Sequence, residues 1–238
     1  MKICLCFFGV VSRSIHLTKD SIQHNIFDVI QKRGHTYEVY VHDIKVKDLE
    51  SPRAGDSVKN LEDRSNHLPC DYYESSKQGE IDEYLFTQNA YGIPNTREPS
   101  AKNMYRQLFS LQKVTKMWQN ENRFYDYYVY LRPDLEYMQP LPMEMIEKYQ
   151  NTNYLLTPSW GAWDGLNDRI YMGAKDVIFH FGNRIEYLAL LIFDPKRKYQ
   201  PERYMKIVSD HFKIPRVSIG FFARRIRTNG TIPSNDRR

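Results

Sequence analysis

The segment from Tyr125 to Asp134, Tyr-Asp-Tyr-Tyr-Val-Tyr-Leu-Arg-Pro-Asp, limits the possible folds of this chain more than any other. Up to Leu131 it is almost entirely aromatic or β-branched and carries neither Gly nor Pro, a composition that suits a buried pleated strand better than a helix. The pattern stops at Arg132-Pro133-Asp134, because a proline cannot donate to a ladder and the strand must end or meet an edge there. In an open α/β sheet, ligands bind just beyond the carboxyl ends of the strands. An Arg and an Asp at such an end stand where an anionic substrate, or its metal, would be met. The same two residues also fit a plain surface ion pair in a turn.

The segments around this strand alternate between strand and helix signals. Residues 3–11, Ile-Cys-Leu-Cys-Phe-Phe-Gly-Val-Val, form a continuous apolar run of the kind found in a parallel sheet covered on both faces. Spacing predicts a helix over 18–32, with Ile22, Ile26, Val29 and Ile30 on one side and Gly34 as its C′ residue. A strand over 37–41 then completes a β-α-β unit with a right-handed crossover. A second helix is expected from Ser100, as N-cap, to Asn120, with Met104, Leu108, Leu111, Thr115 and Trp118 repeating at helical spacing. Shorter elements follow: helices over 143–149, 174–181 and 184–193, strands over 154–157 and 170–173, a helix started by Pro201, and a strand over 217–226. Between 45 and 98 the chain is irregular and rich in Pro and Gly, with a helix expected over 78–88, and reads as a functional or mobile insert. Without internal repeats or a clear linker, the reading is one domain over 1–238, an α/β fold with a mostly parallel central sheet flanked by helices.

Composition narrows the function. The 238 residues, 41% hydrophobic, can build a sizeable core. The net charge of +5 is spread without a Lys/Arg block interleaved with aromatics, so nucleic acid is not indicated. No run is long enough to span a membrane. Cys4, Cys6 and Cys70 form neither a disulfide framework nor a CxxC pair, which predicts a reduced, cytoplasmic setting. The first strand-to-helix loop lacks both the dinucleotide and the P-loop glycine spacing. Scattered histidines and the absence of a GxSxG elbow argue against zinc-protease and serine-hydrolase chemistry.

The remaining candidate residues suit transfer from a nucleotide-diphosphate sugar. Such a reaction needs positive charge on the diphosphate, a carboxylate base for the acceptor hydroxyl, and polar groups beside an aromatic wall to hold sugars. Asp134 suits the first task through a metal, and Asp168 or Glu202 the second. Trp160 and Trp163 suit the wall, with Asp164 and Asn167 beside them. Trp163 equally fits a core position, Asp168–Arg169 a structural ion pair, and Arg224, Arg225 and Arg227 a solvated tail.

Taken in order, Cys6-Phe7-Phe8-Gly9-Val10-Val11-Ser12-Arg13, Arg106-Gln107-Leu108-Phe109-Ser110-Leu111, the strand ending in Arg132-Pro133-Asp134, Asn167-Asp168-Arg169-Ile170-Tyr171-Met172-Gly173 and Pro201-Glu202 resemble a known family. It is the small GT-A-fold glycosyltransferases of large algal (chlorella) viruses and of surface-polysaccharide loci. The likeness spans most of the chain and is weakest over about 45–98. It implies a sugar-nucleotide donor, here a UDP-sugar, and a hydroxyl of a glycan or glycoprotein, such as a viral capsid glycan, as acceptor. The setting would be the cytoplasm, that of the host for a viral protein. It implies that Gly9, Ser12, Arg13, Arg106, Arg132 and Asp134 meet the donor, and that Mn²⁺ or Mg²⁺ is held by an Asp-x-Asp at the strand end. Here Arg132 replaces the first Asp, leaving Asp134 as the metal carboxylate, and an Arg could itself meet the phosphates.

Three expectations follow. Asp134→Ala should abolish transfer and leave the fold intact. Arg13 should bind the nucleotide. Asp168 should be the base or a sugar-hydroxyl acceptor, with Arg169 facing away and Glu202 holding the acceptor, because a helix N-terminus lowers a carboxylate's pKa. Other classes remain open: a catalytically inactive nucleotide- or sugar-binding module of the same fold, and a nucleotidyltransferase.

Overall fold

The structure, a computed structural model, describes residues 1–51, 56–92, 99–121, 123–191 and 200–236. Its strands are β1 (Lys2–Gly9), β2 (Thr36–Lys45), β3 (Leu49–Ser51), β4 (Asp56–Val58), β5 (Tyr72–Lys77), β6 (Tyr127–Leu131), β7 (Leu135–Tyr137), β8 (Leu155–Pro158), β9 (Tyr171–Gly173), β10 (Arg216–Ile219) and β11 (Ala223–Arg225). The α-helices are α1 (Ile15–Ile22), α2 (Asp28–Lys32), α3 (Gln78–Asp82), α4 (Pro99–Asn120), α5 (Met143–Tyr149), α6 (Lys175–Gly182), α7 (Leu188–Leu191) and α8 (Pro201–His211).

Seven strands form one sheet in the order β10-β8-β9-β6-β1-β2-β5. Every neighbouring pair is parallel except those made by β9, which runs antiparallel to both β6 and β8. The expected mostly parallel α/β sheet is therefore what the chain builds. Its alternating residues divide the core in two. Cys4, Cys6, Phe8, Tyr128 and Tyr130 face α4, α6 and α8 on one side. Ile3, Leu5, Phe7, Val129 and Leu131 face α1, α2 and α5 on the other. The β1 run is apolar throughout because both of its faces are covered.

Several elements differ from expectation. The first helix starts earlier, at Ile15, and passes through a π-helical turn (Gln23–Phe27) between α1 and α2. The long helix begins at Pro99, so Ser100 lies inside it rather than capping it. The stretch over 184–193 starts as a 3₁₀ turn (Arg184–Tyr187) leading into α7, and residues 192 and 193 lie outside the described part. The strand expected over 217–226 is two. β10 ends at Ile219, and after Gly220 the chain turns so that β11 pairs antiparallel with β7. The segment over 45–98 supplies a β3–β4 hairpin and β5, which pairs in parallel with β2 at the edge of the main sheet.

The differences among the strands have a physical origin. Short strands such as β7 and β11 carry too little periodic sequence to be read locally, and their pairing spans the chain from Leu135 to Arg225. All parallel strands deliver their carboxyl ends to one edge. That edge gathers Gly9–Arg13, Asp43, Arg132–Asp134, Ser159–Trp163 and the turn at Gly220–Phe222.

Candidate active site

At the end of β6 the Arg-Pro-Asp turn is pinned from three sides. Thr18 of α1 donates its hydroxyl to the Pro133 carbonyl at 2.7 Å, Tyr137 donates to the Arg132 carbonyl at 2.9 Å, and the Ile226 amide donates to the Asp134 carbonyl at 3.0 Å. The Asp134 carboxylate is buried, with 2% of the residue exposed. Arg132 grips it with two hydrogen bonds, Nε to Oδ1 at 2.8 Å and Nη2 to Oδ2 at 2.6 Å. Arg13 reaches the same Oδ2 at 3.4 Å. Burial alone would raise this carboxyl, but the charges of Arg132 and then Arg13 outweigh it and hold it well below the usual carboxylate range.

From there a chain of polar contacts runs in both directions along the edge. On one side Arg13 Nε bonds Asp56 at 2.9 Å, and Arg227 lies 3.9 Å from the same carboxylate oxygen. On the other side Arg132 Nη1 approaches Gln107 Oε1 at 3.4 Å, and Gln107 Nε2 donates to Asp168 Oδ2 at 2.8 Å. Arg169 then stands between two carboxylates, 3.9 Å from Asp168 and 3.8 Å from Glu202. The expected alternation, with Asp168 toward the site and Arg169 away from it, is not what the chain adopts: Arg169 lies beside both carboxylates. Residues 167–170 precede β9 and are not extended strand, so strand alternation does not apply to them.

The electrostatic expectation for Glu202 is reversed as well. Glu202 sits in the first turn of α8 after Pro201, where the helix dipole favours its charge. Burial, and after it the neighbouring Asp168, push its carboxyl up to about 7, against the pull of Arg169. The backbone of Glu202 is closely packed as well. A Cβ on Gly165 would lie 2.0 Å from the Glu202 carbonyl oxygen, and the Leu166 amide donates to that oxygen at 2.9 Å. Only glycine lets the 160–170 loop approach the α8 N-terminus this closely.

Beyond β8 a pocket of about 290 Å³ is lined by Ser159, Trp160, Gly161, Ala162, Trp163, Phe222 and Asp236. Trp160 is a buried wall, donating its indole N–H to the Phe221 carbonyl at 2.7 Å and packing edge-on against Phe222. Trp163 is 53% exposed. Trp163 and Asp164 adopt φ of 40° and 64°, a left-handed pair of non-glycine residues. Such backbone is costly, of order 1–3 kcal/mol per residue, and clusters at functional sites.

The sequence-predicted residues divide accordingly. Ser12, Arg13, Arg132, Asp134, Asp168, Glu202, Trp160 and Trp163 all stand along this edge. Gly9 ends β1 with φ of 113°, donates its amide to Ser110 at 2.9 Å, and has open space where a Cβ would stand. Ser12 is engaged with the loop after β4, giving a hydrogen bond to Asp63 and accepting one from the Arg64 amide.

Three of the predicted residues have other partners in this arrangement. Arg106 is bound through two hydrogen bonds to Asp82 on α3, at 2.7 and 2.6 Å, and it is the next residue, Gln107, that turns toward the edge. Asn167 is fully buried; its Oδ1 accepts the Arg169 and Ile170 amides and its Nδ2 donates to the Trp160 carbonyl, so it shapes the loop instead of meeting a sugar. Asp164 points into solvent and pairs with Arg203 at 3.3 Å.

Sequence reasoning missed Gln107, Asp56 and the placement of the C-terminal arginines. Gln107 was within reach, since it adjoins Arg106 in the same motif. Asp56 lies in the irregular stretch and carries no local signal. The C-terminal arginines are not a solvated tail: Arg225 bonds Asp236 at 2.6 Å, Arg224 bonds Glu136 at 2.5 Å, and Arg227 is buried.

Among the described residues, no group of three or more His, Cys, Asp or Glu side chains is placed to hold an ion. Asp134 offers a single carboxylate whose two oxygens are both bonded to guanidinium groups. With both oxygens of its one carboxylate already held by guanidinium groups, this strand end does not fit a Mn²⁺ or Mg²⁺ ion, which would need a free carboxylate oxygen beside the substrate phosphates.

No family model matches the chain, and no curated protein does. Solved structures similar to it include three glycosyltransferases. One is a glycosyltransferase involved in the glycosylation of the major capsid of PBCV-1, at 13% identity over 92% of this chain and 82% of that one, with a TM-score of 0.45. The second is mouse xyloside xylosyltransferase 1 in its apo form, at 8% identity over 92% and 85%, with a TM-score of 0.47. The third is the apo-form glycosyltransferase GlyE of Streptococcus pneumoniae TIGR4, at 12% identity over 92% of this chain and 45% of that one, with a TM-score of 0.42. At this level of likeness the chemistry has to be read from the chain's own residues. Among those described, no helix is long and apolar enough to cross a membrane.

Proposed function

We propose that this chain is a GT-A-type glycosyltransferase that moves a sugar from a UDP-sugar to a hydroxyl of a glycan or glycoprotein. One observation carries the reading. A buried arginine–aspartate turn, a carboxylate pair around one arginine, and an aromatic pocket lie along the same carboxyl edge of a parallel sheet. That is where ligands of open α/β sheets bind. The resemblance of the ordered sequence motifs to glycosyltransferases supports the same class.

In this reading the diphosphate lies by Arg13 and Arg132, and the acceptor against Trp160 and Trp163. Glu202 is the base. Its carboxyl, pushed up to about 7, is better matched to deprotonating a hydroxyl than an ordinary carboxylate. Asp168, held by Gln107 and Arg169, accepts hydrogen bonds from sugar hydroxyls. The acceptor oxygen bonds to the anomeric carbon as its proton passes to Glu202. The anomeric C–O bond breaks with its electron pair leaving on the diphosphate.

The test is UDP release from a panel of UDP-sugars, with and without oligosaccharide acceptors, followed by mass spectrometry of the products. Turnover that is accelerated by acceptor and lost in Glu202→Gln is the expected result. Donor bound without turnover, with any acceptor or with water, would mark the chain as the inactive sugar-nucleotide-binding module.

A further inference from the structure

We infer that the nucleotide diphosphate is neutralised by an arginine cradle of Arg13, Arg132 and Arg227, without a divalent cation. This inference rests on the glycosyltransferase reading and specifies how its donor is held. In the usual arrangement implied by the sequence resemblance, a strand-end Asp-x-Asp presents carboxylates to a metal, and the metal meets the phosphates. Here Arg132 occupies the first position, and its guanidinium folds back to occupy both oxygens of the second. A cation would have to displace two charge-assisted hydrogen bonds and would then face Arg132 and Arg13 at close range.

The same geometry leaves positive charge unspent. Three guanidinium groups share two carboxylates. Asp134 is bonded by Arg132 and Arg13, and Asp56 is bonded by Arg13 and approached by Arg227 at 3.9 Å. Asp56 is further engaged by the Thr228 hydroxyl. Arg227 is buried, with 6% of the residue exposed, and its Nε has no hydrogen-bond partner. A buried, incompletely paired guanidinium is costly unless something completes it. Burial, with repulsion from Arg13 and Arg225, lowers the Arg227 pKa to about 10, the direction expected of a cation among cations. An incoming dianion would relieve that repulsion.

The Arg13 and Arg132 side chains retain 14% and 19% exposure, and Gly9, at the end of β1, leaves open the volume a side chain would fill. Planar guanidinium forks match phosphate oxygens two at a time, which an ammonium group cannot do. Asp134 then acts as a positioning residue: it holds the Arg132 fork at the strand end.

The experiment is calorimetric titration of the full chain with UDP, GDP and inorganic pyrophosphate, once in excess EDTA and once in MnCl₂. Expected are UDP affinities that agree between EDTA and Mn²⁺ within about threefold, a difference under 1 kcal/mol. Arg132→Lys, which keeps the charge but loses the fork, should weaken UDP and pyrophosphate binding at least roughly tenfold in EDTA. Arg227→Gln should weaken both in parallel. Thermal melts of each variant separate lost binding from lost folding, and the wild-type comparison stands even if a variant fails to fold. Diphosphate binding that requires Mn²⁺ would overturn the cradle while leaving the glycosyltransferase reading in place. Absence of UDP, GDP and pyrophosphate binding in both conditions would overturn the two together.

Discussion

Replacing Asp134 with Ala tests the organisation of the strand end most directly. The sequence expectation was a folded but inactive protein, on the premise that strand-end residues contribute little to the core. The structure changes the first half of that expectation. Asp134 is 2% exposed and is the carboxylate to which Arg132 is anchored. Arg13 keeps Asp56 when Asp134 is lost, but Arg132 retains only the 3.4 Å approach to Gln107. Removing one partner of a buried pair costs about 3–5 kcal/mol. Because the arginine side chains keep 19% and 14% exposure, water can soften the loss, and about 3 kcal/mol is expected.

The assay is urea denaturation of wild type and variant, with the m-values compared to check that both unfold alike. The pH dependence adds a second check. Asp134 is held below its ordinary range in the folded state, so its contribution is fully present above the unfolded Asp pKa, about 3.9. The wild-type advantage should therefore be constant near neutrality and shrink as the pH falls below about 4 toward the depressed folded pKa. A stability change under about 1 kcal/mol, or an advantage that grows in acid, would refute the anchoring argument.

Four further outcomes are expected. Arg13→Ala should weaken UDP binding by about 2 kcal/mol, roughly 30-fold in Kd by calorimetry, if its guanidinium makes a charged hydrogen bond to the donor. Wild-type kcat should rise with pH through about 7 as Glu202 ionises; Glu202→Gln should lose turnover at every pH, whereas Asp168→Asn should lower the rate but keep the rising limb, and the reverse pattern would exchange their roles. Glu202 should also make the fold less stable as pH rises from about 4.3 to its raised folded value, because the folded state holds the proton longer; the penalty should vanish in Glu202→Gln melts across that range. Gly165→Ala, which sets a methyl against the Glu202 carbonyl, should lower thermal stability and impair turnover together, and wild-type activity in a well-folded variant would contradict the close packing.

What the sequence determined by itself is what local chemistry can encode. The apolar β1 run and the aromatic β6 run announce strands covered on both faces, because alternate residues must all be buried. The spacing of Met104, Leu108 and Leu111 announces α4, whose inner face meets one side of the sheet. Pro133 marks where β6 stops, and Pro201 where α8 starts. Together they place Asp134 and Glu202 at element ends, where side chains can reach a ligand.

Only the tertiary structure decided what those side chains meet. Whether Asp134 faces a metal or a guanidinium depends on Arg132 folding back and on Arg13 arriving from another strand end. Arg225 and Arg227 reach the edge because β11 pairs with β7, a contact between distant segments that leaves no periodic trace. The same holds for Glu202: its helix position argues for a lowered pKa, while burial and a neighbouring Asp168 carry it the other way. Burial and neighbouring charge are properties of the assembled molecule, and at this site they outweigh the helix dipole that the sequence alone could reveal.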